Sequence, residues 1–291
     1  MSSIMTPFNW RAADLAKRTQ WRFKASPDLW PLDLSQLQHW LAPVIQELRS
    51  GSGVALLEGL TDLSEERLRQ VYLAIGRCIG EVDTTYGALY DVVDTGSSYL
   101  RKAIPVSQTN ASTSIHTDSS RMETHPRWVG LACIRQAPIG GGSRLVSGVA
   151  VHDYLCSHHP DVLARLKQPF HRDVVTPGAT DNALELIKKN SFPVFSDTNE
   201  GPTFRYMRYW IEKGHQRIGS PLDRSDLAAF DRLDQTLNDT EFRYDFNLNP
   251  GDLLFIDNHK LAHDRDAFID DPQAPRLMVR LWLNDQTTPT T

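Results

Sequence analysis

Three His-x-Asp pairs each bring an imidazole and a carboxylate two residues apart. They are His116 with Asp118, His159 with Asp161, and His171 with Asp173. Both groups bind transition metals, and residues i and i+2 of a strand point to the same side. With 10 histidines and 36 acidic residues in the chain, about two or three such pairs are expected by chance. The residues around each pair must therefore indicate which one is a candidate metal site.

The surroundings favour the first pair. Pro160 and Asp161 are typical of the first turn of a helix, which explains the second pair without a metal. His171 lies in a predicted strand and has a weaker claim. The stretch before His116, "VSQTNASTS", is polar and irregular like the rim of a cavity, and the apolar strand "WVGLACIRQA" follows soon after. We therefore expect His116 and Asp118 to bind a metal.

A third ligand must come from a distant strand. The segment "GDLLFIDNHKLAHDRDAF" begins with a turn and a strand, and then presents His259 and His263, which compete for this role. Two histidines and one carboxylate on one side of an ion leave adjacent positions open, as in non-haem Fe(II) oxygenases. A zinc hydrolase with His-x-x-x-His on a helix is an alternative, but the Glu of HExxH is absent and Pro250-Gly251 favours a strand.

Two arginines follow in "RLMVRLWL". Strand alternation places Arg276, Met278 and Arg280 on one face. Cations inside an apolar strand region are costly unless each meets an anion, so this face predicts an anion site. Surface or salt-bridged arginines are the alternative.

Composition excludes several classes. The chain has 291 residues, 40% hydrophobic and 23% charged, with a net charge of −5. Its basic residues form no stripe, so nucleic acid is not expected as a partner. The three cysteines, Cys78, Cys133 and Cys156, indicate neither a disulfide framework nor a zinc knuckle. Without a long apolar run, we expect a cytoplasmic protein that does not bind membranes. The oligomeric state is not indicated.

In the first third of the chain, "DLSQLQHWLAPVIQELRSG", which ends at Gly51, and "SEERLRQVYLAIGRCIG", with Ser64 as a candidate N-cap, have the apolar spacing of helices around the short strand "GVALLEGL". From about residue 125, short apolar or alternating runs such as "TFRYMRYW" predict strands separated by turn residues. Two helical segments, "VHDYLCSHHPDVLARLKQ" and "RSDLAAFDRLDQTLND", interrupt them. We predict a mainly β protein with flanking helices, of the α+β class. The expected architecture is a double-stranded β-helix, a cupin-like jelly roll with helices packed outside one sheet. The chain is expected to form a single domain, residues 1–291, with a helical portion over about 1–80 and the jelly-roll core over about 81–291.

Taken together, these residues resemble the taurine dioxygenase (TauD/TfdA)/clavaminate synthase-like family of Fe(II)/2-oxoglutarate-dependent dioxygenases. "IHTDSS" is similar to the first metal motif of that family, and "FIDNHKLAHDRDAF" to its D-N-x-x-x-x-H-G-R-x-x-F motif. The resemblance runs from about residue 50 to 284. It implies that His263, and not His259, is the third ligand. Asp264 departs from the common Gly of the second motif.

The resemblance also implies the cofactors and the reaction. Fe(II) would be bound by His116, Asp118 and His263, with 2-oxoglutarate as cosubstrate and O2 as oxidant. Arg276 would bind the distal carboxylate of 2-oxoglutarate, and Ser143 of "GGGS" would help to hold it in place of the more frequent Thr. Hydroxylation of a C–H bond, with succinate and CO2 as co-products, is the expected outcome. Desaturation or cyclisation, and a metal-free ligand-binding jelly roll, are the alternatives.

The substrate is less well indicated. The family resemblance implies that Arg280 meets an anionic group, which favours a small carboxylate-bearing or amino-acid-like metabolite; bracing of an acid beside the metal is the alternative. "LYDVVDTGSSYLRKAIPVSQTN" is predicted to cover the site, with Arg101, Gln108 and Asn110 as candidate substrate contacts. "TPGATDNALELIKKNSFPVF" is a candidate for the opposite wall.

Overall fold

The computed structural model describes residues 7–25, 33–96, 106–119, 125–173 and 183–286. The α-helices are α1 (Ala12–Lys17), α2 (Leu34–Ser50), α3 (Glu65–Ile79), α4 (Gly148–His158), α5 (Pro160–Leu166), α6 (Ala183–Lys189), α7 (Arg208–Arg217) and α8 (Arg224–Asn238). The first eight strands are β1 (Arg22–Lys24), β2 (Val54–Glu58), β3 (Glu81–Val82), β4 (Tyr90–Val92), β5 (Trp128–Arg135), β6 (Ile139–Gly140), β7 (Ser143–Ser147) and β8 (Phe170–His171). The others are β9 (Ser191–Phe192), β10 (Phe195–Thr198), β11 (Gly201–Phe204), β12 (Arg243–Phe246), β13 (Leu253–Asp257), β14 (Leu261–Arg265), β15 (Phe268–Ile269) and β16 (Leu277–Asn284).

A seven-stranded sheet forms the larger layer, in the order β1-β2-β13-β5-β16-β3, with β4 also paired to β16. Its pairs are antiparallel except β1 with β2. The N-terminal portion, expected to be helical around one strand, therefore contributes two strands to the sheet. The strand predicted at "GVALLEGL" is confirmed as β2.

Helices α2 and α3 cover the outer face of this sheet. Their starts follow capping chemistry, because the side chains of Asp33 and Ser64 accept N–H bonds from the first turn. In α2 the buried residues recur at helical spacing: Leu37, Leu41, Val44 and Leu48. Burial of each such side chain stabilises the fold by about 1.5–3 kcal/mol. The two helices thus bury the outer face of the sheet under apolar side chains.

Strand β16 shows how the sheet separates its two faces. Val279, Leu281 and Leu283 pack into the core under the helices. Met278 and Trp282 belong to the core on the opposite, inner face. By alternation Arg280 shares that inner face, and Arg276 precedes the strand on the same side. The predicted shared face of Arg276, Met278 and Arg280 is confirmed.

A second, three-stranded sheet has the order β12-β7-β14. Behind it, α4, α5 and α8 pack with the β10-β11 hairpin in a separate core. One strand prediction for this region was wrong: "TFRYMRYW" is not one strand, because β11 ends at Phe204 and α7 begins at Arg208. The segment "VHDYLCSHHPDVLARLKQ" is helical as predicted, and it is divided into α4 and α5 at Pro160, where a helix start was expected.

Sheets and helices are both extensive, which confirms the α+β class. Helices, and not strands, hold the larger share of the described residues, so "mainly β" was too strong. None of the helices in the described part of the chain combines the length and apolar character that a membrane crossing requires.

Candidate active site

A cavity of about 240 Å³ lies between the two sheets. Both sheets contribute inward-pointing residues: Leu254 and Ile256 of β13, Val129 and Leu131 of β5, Arg280 and Trp282 of β16, Ser143 and Leu145 of β7, and His263 and Arg265 of β14. Its walls are mostly apolar, with a few charged groups. Such a cavity suits a small ligand that is fixed by a few polar contacts.

His116, Asp118 and His263 meet at one point of this cavity. The Oδ1 atom of Asp118 lies 3.5 Å from His116 Nε2 and 3.6 Å from His263 Nε2. One ligand atom from each residue falls within 4.8 Å of the others. Among the described residues, this is the one group of His, Cys, Asp and Glu side chains with such geometry. These three residues, which the sequence analysis selected, can share one metal ion.

Backbone pairing brings the two histidines together. His116 N donates to His263 O over 2.9 Å, and His263 N donates to His116 O over 2.8 Å. The Nδ1 atom of His116 lies 2.7 Å from the carbonyl oxygen of Ser114, so Nδ1 carries the proton and Nε2 is left as a metal ligand. Ser114 and Ser119 have φ of 58° and 54°, a strained conformation that is frequent at functional sites.

Asn258 fixes the backbone beside Asp118. Its Oδ1 accepts from Asp118 N over 2.8 Å, and its Nδ2 donates to Asp118 O over 3.1 Å. The same Nδ2 donates to Pro126 O over 3.0 Å. Asn258 is fully buried. Asn258 of the second motif thus anchors the segment that carries the first motif, a role that was not predicted from the sequence.

Two cationic or polar donors face the other oxygen of Asp118. Trp282 Nε1 donates to Oδ2 over 2.7 Å, and Arg280 Nη1 lies 3.5 Å from the same atom. Burial disfavours the charged carboxylate, but Arg280 and the two histidines outweigh it and hold the pKa of Asp118 well below its usual range. Asp118 is therefore ionised, as a metal ligand must be.

The two imidazoles titrate differently. Burial lowers the pKa of His116, but the hydrogen bond and charge of Asp118 outweigh it, so the pKa is raised. Burial and the neighbouring His116 lower the pKa of His263 despite Asp118. His263 therefore stays neutral near pH 7 and offers a lone pair. A cation held between them would compete with the proton on His116.

Arg276 lies in the same cavity and is only 1% exposed. Its Nε donates to Gln136 Oε1 over 3.0 Å, whereas its Nη1 has no partner among the described residues. Burial and the nearby Arg265 lower the pKa of Arg276 to about 10, so it is charged at neutral pH. Gly141 has φ of 74°, and a Cβ there would lie 3.1 Å from Arg276 Nε. The "GGGS" turn thus allows the guanidinium and Ser143 to line one cavity.

Arg265 is a second buried cation that the sequence analysis did not assign, although the family motif contains it. Its Nη2 donates to the carbonyl oxygens of Thr109 and Ala111, and its Nε has no partner among the described residues. The guanidinium carbons of Arg265 and Arg276 lie 4.8 and 5.1 Å from the ring centre of Phe268. This end of the cavity is therefore strongly positive.

The opposite end has aromatic walls. The guanidinium carbon of Arg280 lies 4.8 Å from the ring centre of Tyr90 and 4.2 Å from that of Trp282. Tyr86 meets Trp282 edge to face at 5.6 Å. Met207 and Trp210 complete this wall. None of these five apolar or aromatic residues was singled out from the sequence, although strand alternation places Trp282 beside Arg280.

The other predicted contacts lie elsewhere. Gln108 does not line the cavity, but its Nε2 donates to the hydroxyl of Tyr90 over 2.8 Å. Asn110 is exposed and does not line the cavity, and its carbonyl oxygen accepts from Phe268 N over 3.1 Å. The structure thus does not bring Asn110 to the cavity. Arg101, and parts of both predicted covering segments, lie outside the described residues.

The rival histidines are separate from the triad. His259 stacks on His125 with ring centres 4.1 Å apart, and burial lowers the pKa of His259 to about 4. His263 lies in β14, so the two do not form a His-x-x-x-His pair on a helix. His159 precedes α5 and His171 lies in β8, and neither lines the cavity.

Several proteins are related in sequence to this chain, and two of the three described here are a hydroxylase and a dioxygenase by name. FR-33289 synthase of Streptomyces rubellomurinus is 24% identical over 88% of this chain and 77% of its own length. Glutarate 2-hydroxylase of Klebsiella pneumoniae is 24% identical over 93% and 79% of the two chains. Gamma-butyrobetaine dioxygenase of Homo sapiens is 25% identical over 74% of this chain, but the match spans about half (53%) of that enzyme.

The fold is also that of a solved oxygenase. Asparagine oxygenase, crystallised with Fe(II), 2S,3S-3-hydroxyasparagine and succinate, superposes with a TM-score of 0.65 at 16% identity, over 91% of this chain and 94% of that one. The model of the family described as taurine catabolism dioxygenase TauD, TfdA family matches residues 14–282. Because that match spans nearly the whole sequence, the chain belongs to the TauD/TfdA dioxygenase family and is an oxygenase.

Proposed function

We propose that this chain is an Fe(II)- and 2-oxoglutarate-dependent oxygenase that hydroxylates a C–H bond of a small, carboxylate-bearing or amino-acid-like metabolite. Succinate and CO2 are the co-products. One observation carries the proposal: a His-Asp-His cluster opens into the cavity that contains the unpaired Nη1 atom of Arg276. The cluster supplies ligands for iron, and the arginine supplies a counter-charge for the cosubstrate.

The residues present fit Fe(II). Two neutral imidazole nitrogens and one carboxylate oxygen are the donor set of non-haem iron oxygenases. Their mutual distances of 3.5 and 3.6 Å are long for hydrogen bonds but short enough for ligands of one ion. We assign His116, Asp118 and His263 as the ligands. When bound, the iron supplies the oxidising chemistry, and the chain's residues determine which C–H bond is presented to it.

The residues at the other end fit 2-oxoglutarate. A buried guanidinium with an unpaired N–H is the expected partner of a carboxylate, and the pair is stronger out of water. We propose that Arg276 binds the distal carboxylate and that the hydroxyl of Ser143 adds a hydrogen bond. Arg265 reinforces the positive potential there without taking part in the ion pair.

The chain's own residues then perform three tasks. The apolar side chains of the inner faces exclude water from the reacting atoms. We propose that Arg280, fixed between Tyr90 and Trp282, binds the substrate anion and so orients the substrate. The 3.5 Å approach of Arg280 to Asp118 is compatible with this role, because a bound cation would neutralise part of the aspartate charge. Glutarate 2-hydroxylase, a relative named above, acts on a carboxylate by its name.

We further propose that the two sheets form a double-stranded β-helix around the cavity, within one domain over residues 1–291. Inward-facing residues of both sheets line the same cavity, which supports this arrangement. A small molecule is the proposed partner, and neither nucleic acid nor membrane is proposed.

The ligand assignment is tested by substitution. His116→Ala and His263→Ala are expected to abolish Fe(II)-dependent decarboxylation of 2-oxoglutarate, measured as succinate formed. The matched controls His159→Ala and His171→Ala remove histidines of the other two His-x-Asp pairs, and their activity should stay near that of the wild type. Full turnover by the His116→Ala variant would refute the metal centre.

A further inference from the structure

Trp282 makes the shortest side-chain contact to Asp118 in the described structure. Its Nε1 lies 2.7 Å from Oδ2, and both side chains are buried. Water therefore cannot replace this donor readily, and a hydrogen bond to a charged acceptor is stronger than one between neutral groups. The bond fixes the rotation of the carboxylate about its Cβ–Cγ axis.

That rotation decides which oxygen faces the histidines. With Oδ2 held by the indole, Oδ1 is the oxygen that faces both imidazoles, at 3.5 and 3.6 Å. A freely rotating carboxylate can offer both oxygens to a cation and occupy two coordination positions. We infer that Trp282 is a positioning residue that restricts Asp118 to one metal-binding oxygen, and so keeps one more position open for cosubstrate or oxygen. This inference rests on the proposed function.

Arg280 also faces Oδ2 of Asp118, but it orients the carboxylate less strongly than Trp282 does. Its Nη1 is 3.5 Å from Oδ2, beyond the distance of a strong hydrogen bond. Its guanidinium also stacks on the rings of Tyr90 and Trp282. When a substrate anion binds Arg280, the guanidinium would pair with that anion and would interact less strongly with Asp118. The indole therefore keeps the carboxylate oriented while Arg280 binds the substrate.

The chain offers a matched control in Trp128. This tryptophan is also buried, and its Nε1 has no hydrogen-bond partner among the described residues. It lies in β5, paired with β16 one position from Trp282. Replacing either tryptophan by Phe removes one indole from the same sheet, but only Trp282→Phe removes a hydrogen bond to the proposed ligand.

The experiment uses Co(II) as the probe, with the full chain and no 2-oxoglutarate. Dissociation constants are measured by competition with a chelator, and the visible Co(II) spectrum reports the coordination number. Trp282→Phe is expected to weaken binding about 10- to 100-fold, the usual effect of losing a group that orients a ligand. The visible absorption bands of Co(II) bound to this variant should lose intensity, because coordination by both oxygens of Asp118 raises the coordination number. Trp128→Phe should match the wild type in both measurements.

A further variant separates orientation from packing. Trp282→Gln places an amide N–H about as far from Cβ as the indole N–H, and it should recover part of the affinity and the wild-type spectrum. Wild-type behaviour of Trp282→Phe would overturn the inference, and so would equal losses in Trp128→Phe or no recovery in Trp282→Gln. If the wild-type protein itself bound no Co(II), the proposed function would fail, which is a distinct result.

Discussion

Arg276 is a buried cation whose nearest described partner is a neutral amide. Gln136 accepts from its Nε, but its Nη1 is unpaired among the described residues, and the effect of the nearby cation Arg265 on its pKa exceeds that of the anion Asp270, whose carboxylate accepts from the backbone N–H of Arg276. Burial of a charge without a counter-ion is unfavourable. An anion bound beside Arg276 would offset this unfavourable free energy. The proposed carboxylate of 2-oxoglutarate would complete the pair.

Substitution of Arg276 tests this pairing. Arg276→Gln retains polarity but loses the charge, so the KM for 2-oxoglutarate should rise by the equivalent of about 2–5 kcal/mol. Ser143→Ala removes a single neutral hydrogen bond and should cost only about 1 kcal/mol. Initial rates of succinate formation at varied 2-oxoglutarate would measure both. An unchanged KM for Arg276→Gln would mean that the carboxylate binds elsewhere, with Arg265 and Arg280 as the nearest cations.

At this scale, the residues themselves indicated only part of the proposed site. Their surroundings favoured His116 and Asp118 over the other two His-x-Asp pairs, whereas the choice of His263 over His259 and the role expected of Arg276 came from the family resemblance. The structure places these four residues around one cavity. Trp282 was not found, because a tryptophan in a strand is explained by packing alone. Its role depends on where the loop of Asp118 crosses β16, which no local pattern encodes.

At the scale of elements, the loop before His116 is tied to β14 by a residue that departs from the family motif. Asp264 is 5% exposed, and its Oδ1 accepts from the hydroxyl of Thr113 over 2.7 Å. Its Oδ2 accepts from Arg144 Nη1 over 2.9 Å. Burial disfavours the ionised form, but Thr113 and Arg144 outweigh it and lower the pKa of Asp264. The carboxylate therefore links the loop, β14 and β7.

Asp264→Asn should loosen this link and misplace His116. The neutral amide weakens the bonds to Thr113 and Arg144, so affinity for Co(II) should fall about 10-fold or more. Asp266→Asn is the control, because Asp266 also pairs with Arg144 but its side chain is 45% exposed. Binding by the control should stay within about twofold of the wild type. Equal affinities of the two variants would argue against the link.

Elements with strong local signals were predicted well, and those with mixed signals were not. Caps and apolar spacing placed α2 and α3. The aromatic-rich run "TFRYMRYW" favours a strand by composition, yet its backbone leaves the hairpin after Phe204. Tyr206 O instead accepts from Thr117 N over 2.8 Å, beside the proposed metal ligands. Tertiary pairing with a distant loop overrides local propensity there.

At the scale of the whole molecule, the cavity lies at the meeting point of two sheets, and cations are concentrated at its ends. Order and spacing of the motifs indicated this common site, but not its aromatic wall, since Tyr86 and Tyr90 come from one segment and Trp210 from another that is far away in the chain. The cost of burying Arg265 and Arg276 must be met by the stability of the surrounding fold. The ligand-free protein should therefore be less stable than the same fold would be with apolar side chains in place of these buried charges.

This trade-off makes a prediction about unfolding. Arg276→Met removes a buried charge and should stabilise the ligand-free protein by about 0.5–2 kcal/mol. In the wild type, 2-oxoglutarate at about 100 times its Kd, with Mn(II) in place of iron, should add about 2.7 kcal/mol. The variant should lose most of that addition, because the carboxylate no longer finds its counter-charge. Denaturant unfolding with and without both ligands measures these differences.

Arg77→Met, on the exposed side of α3, is the control, and it should retain the wild-type response. A less stable ligand-free Arg276→Met protein would show instead that the contacts of Arg276 with Gln136 and Phe268 support the fold by themselves.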